Sequence, residues 1–80
     1  MSTTMRAKFV ISSVEIFGTA EKVKFNAVSK STPYEGQGLD DDNTYAKYSP
    51  SANCEIMIAN EALHGKFKPG QKFYVDFTPA

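Results

Sequence analysis

Three segments of the chain alternate apolar and polar side chains with a period of two, and this alternation constrains the fold more than any other feature. They are 21–28 (EKVKFNAV), 53–59 (NCEIMIA) and 72–78 (KFYVDFT). Successive side chains of a β-strand point to opposite faces, so this period predicts strands with one buried face. The residues expected in one shared core are Phe9, Val23, Phe25, Ile56, Ile58, Phe73, Val75 and Phe77.

The segment 7–16 (AKFVISSVEI) is rich in Val, Ile and Phe and predicts a further strand. Its alternation is interrupted, because Phe9 and Ile11 fall on one face whereas Val14 and Ile16 fall on the other. The two serines between these pairs are where we expect a β-bulge or a bend.

Turn signals join these strands in chain order. Gly18 can adopt a positive φ, so the strand at 7–16 and the strand at 21–28 are expected to form a hairpin. Asn60 can cap a short helical turn over 61–64, and 68–71 (KPGQ) has the Pro-Gly order of a type II turn. The predicted fold is mostly β: a small antiparallel β-barrel or sandwich of four to five strands with one short helical turn. Closure is expected because a single open sheet would leave its apolar face bare.

A chain of 80 residues has room for one domain, so we expect a single domain over 1–80. Residues 1–6 are predicted to be a flexible N-terminus. Residues 29–44 form a long loop that contains Gly, Pro and the acidic run 40–42, and loops of this length are functional or disordered. Because a core of this size contributes only about 3–5 kcal/mol of net stability, a homo-oligomer is expected.

Composition excludes several classes of protein. The formal net charge is zero, which argues against general nucleic-acid binding, since that affinity depends on a basic surface. The single cysteine, Cys54, excludes an internal disulfide and favours an intracellular location. No segment approaches the roughly 20 apolar residues that a membrane-spanning helix requires.

The residues that carry catalytic and metal chemistry are sparse, so we expect a protein that is not an enzyme and needs no cofactor. His64 is the only histidine and has no nucleophile beside it in the sequence. One Cys and one His cannot hold zinc within one chain. Counted from Asp40, the sixth and twelfth positions of a calcium loop are Tyr45 and Ser51 instead of Gly and Glu. The acidic run is therefore expected to be solvated, with a weak divalent-cation site as the alternative.

The segment 43–52 combines flat rings, a cation and small hydroxyls, which together suit stacking on a base and pairing with a phosphate. An edge strand that packs its tyrosines on the sheet explains the same residues. A second cluster of lysines surrounds the Pro-Gly turn. The predicted ligand or partner surface consists of Tyr45, Lys47, Tyr48, Ser51, Lys66 and Lys68.

Three segments carry a resemblance to a known group: 41–52 (DDNTYAKYSPSA), 58–67 (IANEALHGKF) and 68–78 (KPGQKFYVDFT). Together they resemble small accessory proteins encoded in tailed-bacteriophage genomes. The resemblance implies a viral origin and a place of work in the host bacterial cytoplasm or in the virion. It assigns no role to any residue.

Two functions of different classes remain open. One is a non-catalytic binder that sequesters a small nucleotide, such as a host immune signal, in the bacterial cytoplasm. The other is a virion component, for example a capsid-decorating or head-completion protein, whose partners are capsid proteins. The balanced charge and the tyrosines beside Lys47 favour the first, which is the expected function. The long loop and the mixed-sign surface also fit the second, which is the alternative.

Overall fold

The computed structural model describes residues 3–80 as one four-stranded antiparallel sheet in the order β3-β2-β1-β4. The strands are β1 (Met5–Phe17), β2 (Ala20–Ala27), β3 (Asn53–Ile58) and β4 (Lys72–Phe77). Each of the four apolar segments noted in the sequence therefore forms a strand. The mostly β class, with four antiparallel strands and one short helical turn, is confirmed.

β1 and β2 form the predicted hairpin, in which Phe17 pairs with Ala20 and Gly18 adopts a φ of 60°. The predicted bulge is present, because the register shifts between Ile11 and Ser13. Its effect differs from the expectation. Val14 pairs with Val23, so the extra residue returns Val14 to the apolar face instead of moving it to the other one.

β3 and β4 lie at opposite edges of the sheet, so the chain between them must cross the sheet. This connection contains a 3₁₀ turn over Glu61–Leu63, where the Asn60 side chain accepts a hydrogen bond from the Ala62 amide, as predicted for a cap. It then packs on the apolar face through Phe67, whose ring centroid lies 5.5 Å from that of Phe73. That segment covers part of the core.

The core lies on one face of β1 and β2. Its buried residues are Ala7, Phe9, Ile11, Val23 and Phe25, and Ile58, Phe73 and Val75 are half-buried against them. Two residues expected in the core are instead 46% exposed, Ile56 and Phe77. Both belong to edge strands, where the sheet has a neighbour on one side only.

The sheet is not closed into the barrel that the sequence suggested as one option. Among residues 3–80 no strand pairs with the outer side of β3 or of β4, so both edges remain open. Closure would require β3 and β4 to pair with each other, and they lie at opposite edges of the sheet. No helix in the described part of the chain could span a membrane, the 3₁₀ turn being three residues long.

The two segments predicted to be irregular differ in outcome. β1 begins at Met5, and the Thr4 amide donates a hydrogen bond to the Phe77 carbonyl, so ordered structure extends into the segment 1–6. Met1 and Ser2 lie outside the described residues. The loop between β2 and β3 is longer than expected and occupies residues 28–52.

Candidate functional site

The polar face of the sheet carries ion pairs. Lys22 and Lys24 lie 3.2 Å from Glu55 and Glu15 respectively. At the other end of the sheet the Arg6 guanidinium contacts the Asp76 carboxylate at 2.7 Å. These charges of the polar face are therefore paired within the chain.

The long loop is held against β1 by Asn43, whose side chain is completely buried. Its Nδ2 donates to the Val28 carbonyl, and its Oδ1 accepts from the Lys8 amide, both at 2.8 Å. The Val28 amide still donates to the Lys8 carbonyl at 3.0 Å, but the Lys8 amide and the Val28 carbonyl do not bond to each other. Asn43 therefore takes the place of the second main-chain hydrogen bond of this pair.

Asp40 is the acidic hydrogen-bond partner of Asn43 and is only 2% exposed. It accepts hydrogen bonds from the Tyr34 hydroxyl at 2.7 Å and from the Asp42 and Asn43 amides. Burial opposes ionisation, but the hydrogen bonds outweigh it and hold the pKa of Asp40 below its usual value. Burial and the bond to Asp40 together raise the pKa of Tyr34 to about 12.

The sequence predicted a solvated acidic run, but the run is not uniformly solvated. Asp40 is buried, Asp42 lies 3.2 Å from the Lys8 ammonium, and only Asp41 is exposed. Among residues 3–80 no group of three metal-ligating side chains comes together.

The stabilising effect of Asp40 is expected to depend on pH. A carboxylate whose pKa is lower in the folded state stabilises the fold above its unfolded pKa of about 4, and the effect is lost as the pH falls through the folded value. We expect Asp40→Asn to lower the free energy of unfolding clearly at pH 7 and much less at pH 3. Urea denaturation at both pH values measures this, with Asp41→Asn as the exposed control. Equal losses at the two pH values would contradict the assignment.

Tyr48 packs on its own loop. Its φ is 65°, its hydroxyl donates to the Gly36 carbonyl at 2.9 Å, and its ring centroid lies 6.3 Å from that of Tyr34. A Cβ on Gly38 would lie 2.6 Å from the Tyr48 ring, so only glycine fits beneath it. One side of the Tyr48 ring is therefore occupied by the chain itself.

A groove of about 390 Å³ lies on the apolar face of the sheet. Its volume falls in the range of roughly 300–1,000 Å³ that is typical of ligand clefts. The lining side chains come from β1, the loop, β3 and β4: Met5, Ala7, Phe9, Tyr45, Ser51, Ala52, Asn53, Cys54, Val75 and Phe77. None of them carries a charge, so the groove suits an apolar group better than an ionic one.

Tyr45 contributes to the wall of the groove and also carries an unsatisfied polar group. Its hydroxyl oxygen is buried and has no hydrogen-bond partner among the described residues. Burial raises the pKa of Tyr45, with a smaller contribution from Asp40. A buried hydroxyl without a partner costs about 1–3 kcal/mol of stability.

The structure separates the residues predicted to form one contact surface. Tyr45 and Ser51 line the groove together. Lys47 is exposed and forms isolated bridges to Leu39 and Ser49, and neither it nor Tyr48 lines the groove.

The two lysines of the second cluster lie elsewhere, in the connection between β3 and β4. The Lys66 amide bonds the Leu63 carbonyl and the Lys68 amide bonds the Gln71 side chain, and both residues are exposed. Whether any of the six residues contacts a ligand stays a prediction. Sequence reasoning placed three of the lining residues, Phe9, Val75 and Phe77, in the core and did not predict the groove.

The residues with catalytic potential do not assemble into a reactive pair. His64 Nε2 lies 2.9 Å from the Ile58 carbonyl and therefore donates to it in the tautomer that this contact requires. Cys54 is half-buried in the groove wall. The groove itself offers apolar contact together with the polar side chains of Ser51 and Asn53.

No protein-family model, no curated protein and no solved structure matches this chain.

Proposed function

We propose that this chain is a non-catalytic binding protein. It docks an apolar peptide segment of a protein partner in the groove lined by β1, β3, β4 and the long loop. The observation that carries the proposal is the uncharged lining of a groove that exposes the Phe77 side chain by 46%. Apolar surface of this kind gains free energy when a partner removes it from water, at about 25 cal/mol per Å².

The partner is a peptide because of the polar groups at the groove. A peptide carries main-chain amides and carbonyls between its apolar side chains, and the exposed polar residues Ser51 and Asn53 of the lining can bond to them. The resemblance to proteins of tailed bacteriophages makes a virion protein the expected source of that peptide. This agrees with the virion component, one of the two functions proposed from the sequence.

The nucleotide-sequestering function has less support. A cyclic nucleotide needs cations beside its phosphates, and no Lys or Arg is among the described residues that line the groove. The stacking ring predicted from the sequence, Tyr48, lies outside the groove, and one side of it already rests on Gly38.

An NMR titration tests the proposal. Isotope-labelled protein is titrated with the apolar probe acetyl-Ser-Leu-Val-Phe-Ser-amide, with acetyl-Ser-Asn-Thr-Gln-Ser-amide as the polar control. We expect the apolar peptide to shift amide signals of groove residues such as Ala7, Cys54 and Val75. The polar peptide is expected to leave them unchanged.

A matched pair of variants locates the site. Phe77→Asp places a charge at the rim of the groove and is expected to weaken binding of the apolar peptide at least tenfold. Phe17→Asp is the control, because Phe17 is 49% exposed and lies outside the groove. Equal binding by both variants would overturn the proposal. Binding of cyclic di- or trinucleotides with shifts centred on Lys47 and Tyr48 would support the nucleotide function instead.

A further inference from the structure

β4 presents an open edge with unpaired main-chain groups. The Ile11 amide donates to the Gln71 carbonyl and the Thr4 amide donates to the Phe77 carbonyl, so odd-numbered residues along this strand point their main-chain groups toward β1. In an antiparallel ladder the direction alternates. The amides and carbonyls of Lys72, Tyr74 and Asp76 therefore point away from the sheet, where no described strand pairs with them.

The side chains of these three residues form a symmetric pattern. Lys72 and Asp76 carry opposite charges and lie two residues on either side of Tyr74. All three are exposed, and Lys72 makes no ion pair with any described residue. A strand with this pattern is complementary to an antiparallel copy of itself.

We propose that two copies of this chain associate through antiparallel pairing of their β4 strands, with the two-fold axis at Tyr74. In this register Lys72 of each copy lies opposite Asp76 of the other. The pairing supplies about six main-chain hydrogen bonds and two cross-strand ion pairs, and opposite charges across strands are stabilising. The proposal does not depend on the peptide-binding function.

Charge decides the register. Lysine and aspartate on an edge strand usually discourage pairing, and they do so here for registers centred on Lys72 or Asp76, which place like charges opposite each other. Registers centred on Phe73 or Val75 leave both charges without an opposite partner. Only the register centred on Tyr74 places opposite charges across from each other, and Asp76, which contacts Arg6 of its own copy at 2.7 Å, then also faces Lys72 of the other copy.

The other open edge lacks this property. By the same alternation, counted from the Ala27 amide that bonds the Ala52 carbonyl, Asn53, Glu55 and Met57 point their main-chain groups outward on β3. Glu55 is the only charge among them. A two-fold axis at Glu55 would bring two carboxylates together, so β3 does not share the complementarity of β4.

The paired strands would also join the two apolar faces. A two-fold axis perpendicular to the sheet keeps the same face of both copies on the same side. Phe73 of one copy then lies opposite Val75 of the other, an aromatic and β-branched pair that favours strand association. Val75 and Phe77 line the groove, so the two grooves would lie on either side of the dimer axis.

A charge exchange tests the proposal by sedimentation equilibrium of the full chain from about 1 to 500 µM. The wild type is expected to reach twice the mass of the single chain, and its dissociation constant is expected to rise with salt because the ion pairs are exposed. Lys72→Glu and Asp76→Lys are each expected to weaken the dimer at least tenfold. An equimolar mixture of the two variants restores opposite charges at both contacts and is expected to dimerise again.

The control and a crosslink complete the test. Lys66→Glu removes an exposed lysine outside β4 and is expected to dimerise like the wild type, with thermal melting as the folding check for every variant. Carbodiimide is expected to join Lys72 to Asp76 between isotopically distinct copies, because within one strand these residues are about 13 Å apart. A wild type that stays monomeric at 500 µM, or a mixture that does not recover, would overturn the proposal.

Discussion

Replacing Phe25 with alanine is expected to lower the free energy of unfolding by about 3–5 kcal/mol. Phe25 is 6% exposed, and its ring centroid lies 6.1 Å from that of Phe9. The truncation therefore removes an aromatic pair from the centre of the core and leaves a cavity. A core of this size contributes only about 3–5 kcal/mol of net stability, so most of it would be lost. Urea denaturation at 25 °C measures the change.

Two further variants make this result interpretable. Phe17→Ala is the matched control, because Phe17 is 49% exposed near the hairpin turn, and a loss of less than about 1 kcal/mol is expected. Phe25→Leu retains part of the buried volume and remains measurable if the alanine variant does not fold. Similar losses for Phe17→Ala and Phe25→Ala would show that the core is not centred on Phe25.

The strands could be predicted because their signal is local. Val23 and Phe25 are buried where the period of two places them, and Phe73 and Val75 are half-buried in the same way. The turn at Gly18 depends on backbone conformations that the sequence itself reveals. Neither signal requires knowledge of what lies across the sheet.

The orientation of Val14 could not be predicted, because a bulge changes the face of every residue that follows it. The sequence marks the position of the bulge with two serines, but the number of residues that it absorbs depends on the register with β2. One extra residue places Val14 opposite Val23 and extends the apolar face along β1.

Barrel closure and the groove depend on long-range packing. Ile56 and Phe77 alternate as core residues do, and their exposure follows only from their positions in edge strands. The groove combines side chains from four separate segments, so no local motif describes it. The predicted surface around Tyr48 consists of residues that are close in sequence. The contact between the Tyr48 ring and Gly38 depends on how the loop folds.

The contacts of Asp40 and Asn43 that hold the loop could not be predicted from the sequence either. Asp40 lies in an acidic run that resembles a solvated loop, yet its partners include the Tyr34 hydroxyl and the Asn43 amide. Asn43 in turn bonds main-chain groups 15 and 35 residues away in the chain. The presence of three consecutive aspartates does not indicate which of them is buried.

Replacing Asn43 with alanine is expected to lower the free energy of unfolding by about 2–4 kcal/mol. The substitution leaves the Lys8 amide and the Val28 carbonyl without the partners that now lie at 2.8 Å from each, and an unsatisfied buried main-chain group costs about 1–3 kcal/mol. It also removes the Nδ2 contact to Asp40 at 3.3 Å. Urea denaturation measures the loss, and hydrogen exchange is expected to become faster at the Lys8 amide.

Asn26→Ala is the control for this variant, because Asn26 is an exposed asparagine in the neighbouring strand β2. It is expected to change the free energy of unfolding by less than about 0.5 kcal/mol. The hydrogen-exchange measurement separates loosening of the loop from a general loss of stability. If the loop is anchored by Asn43, protection falls at Lys8 and at the Thr44 amide, which bonds the Arg6 carbonyl, more than at amides between β2 and β3. A uniform loss across the sheet, or none at Lys8, would show that the loop is held by other contacts.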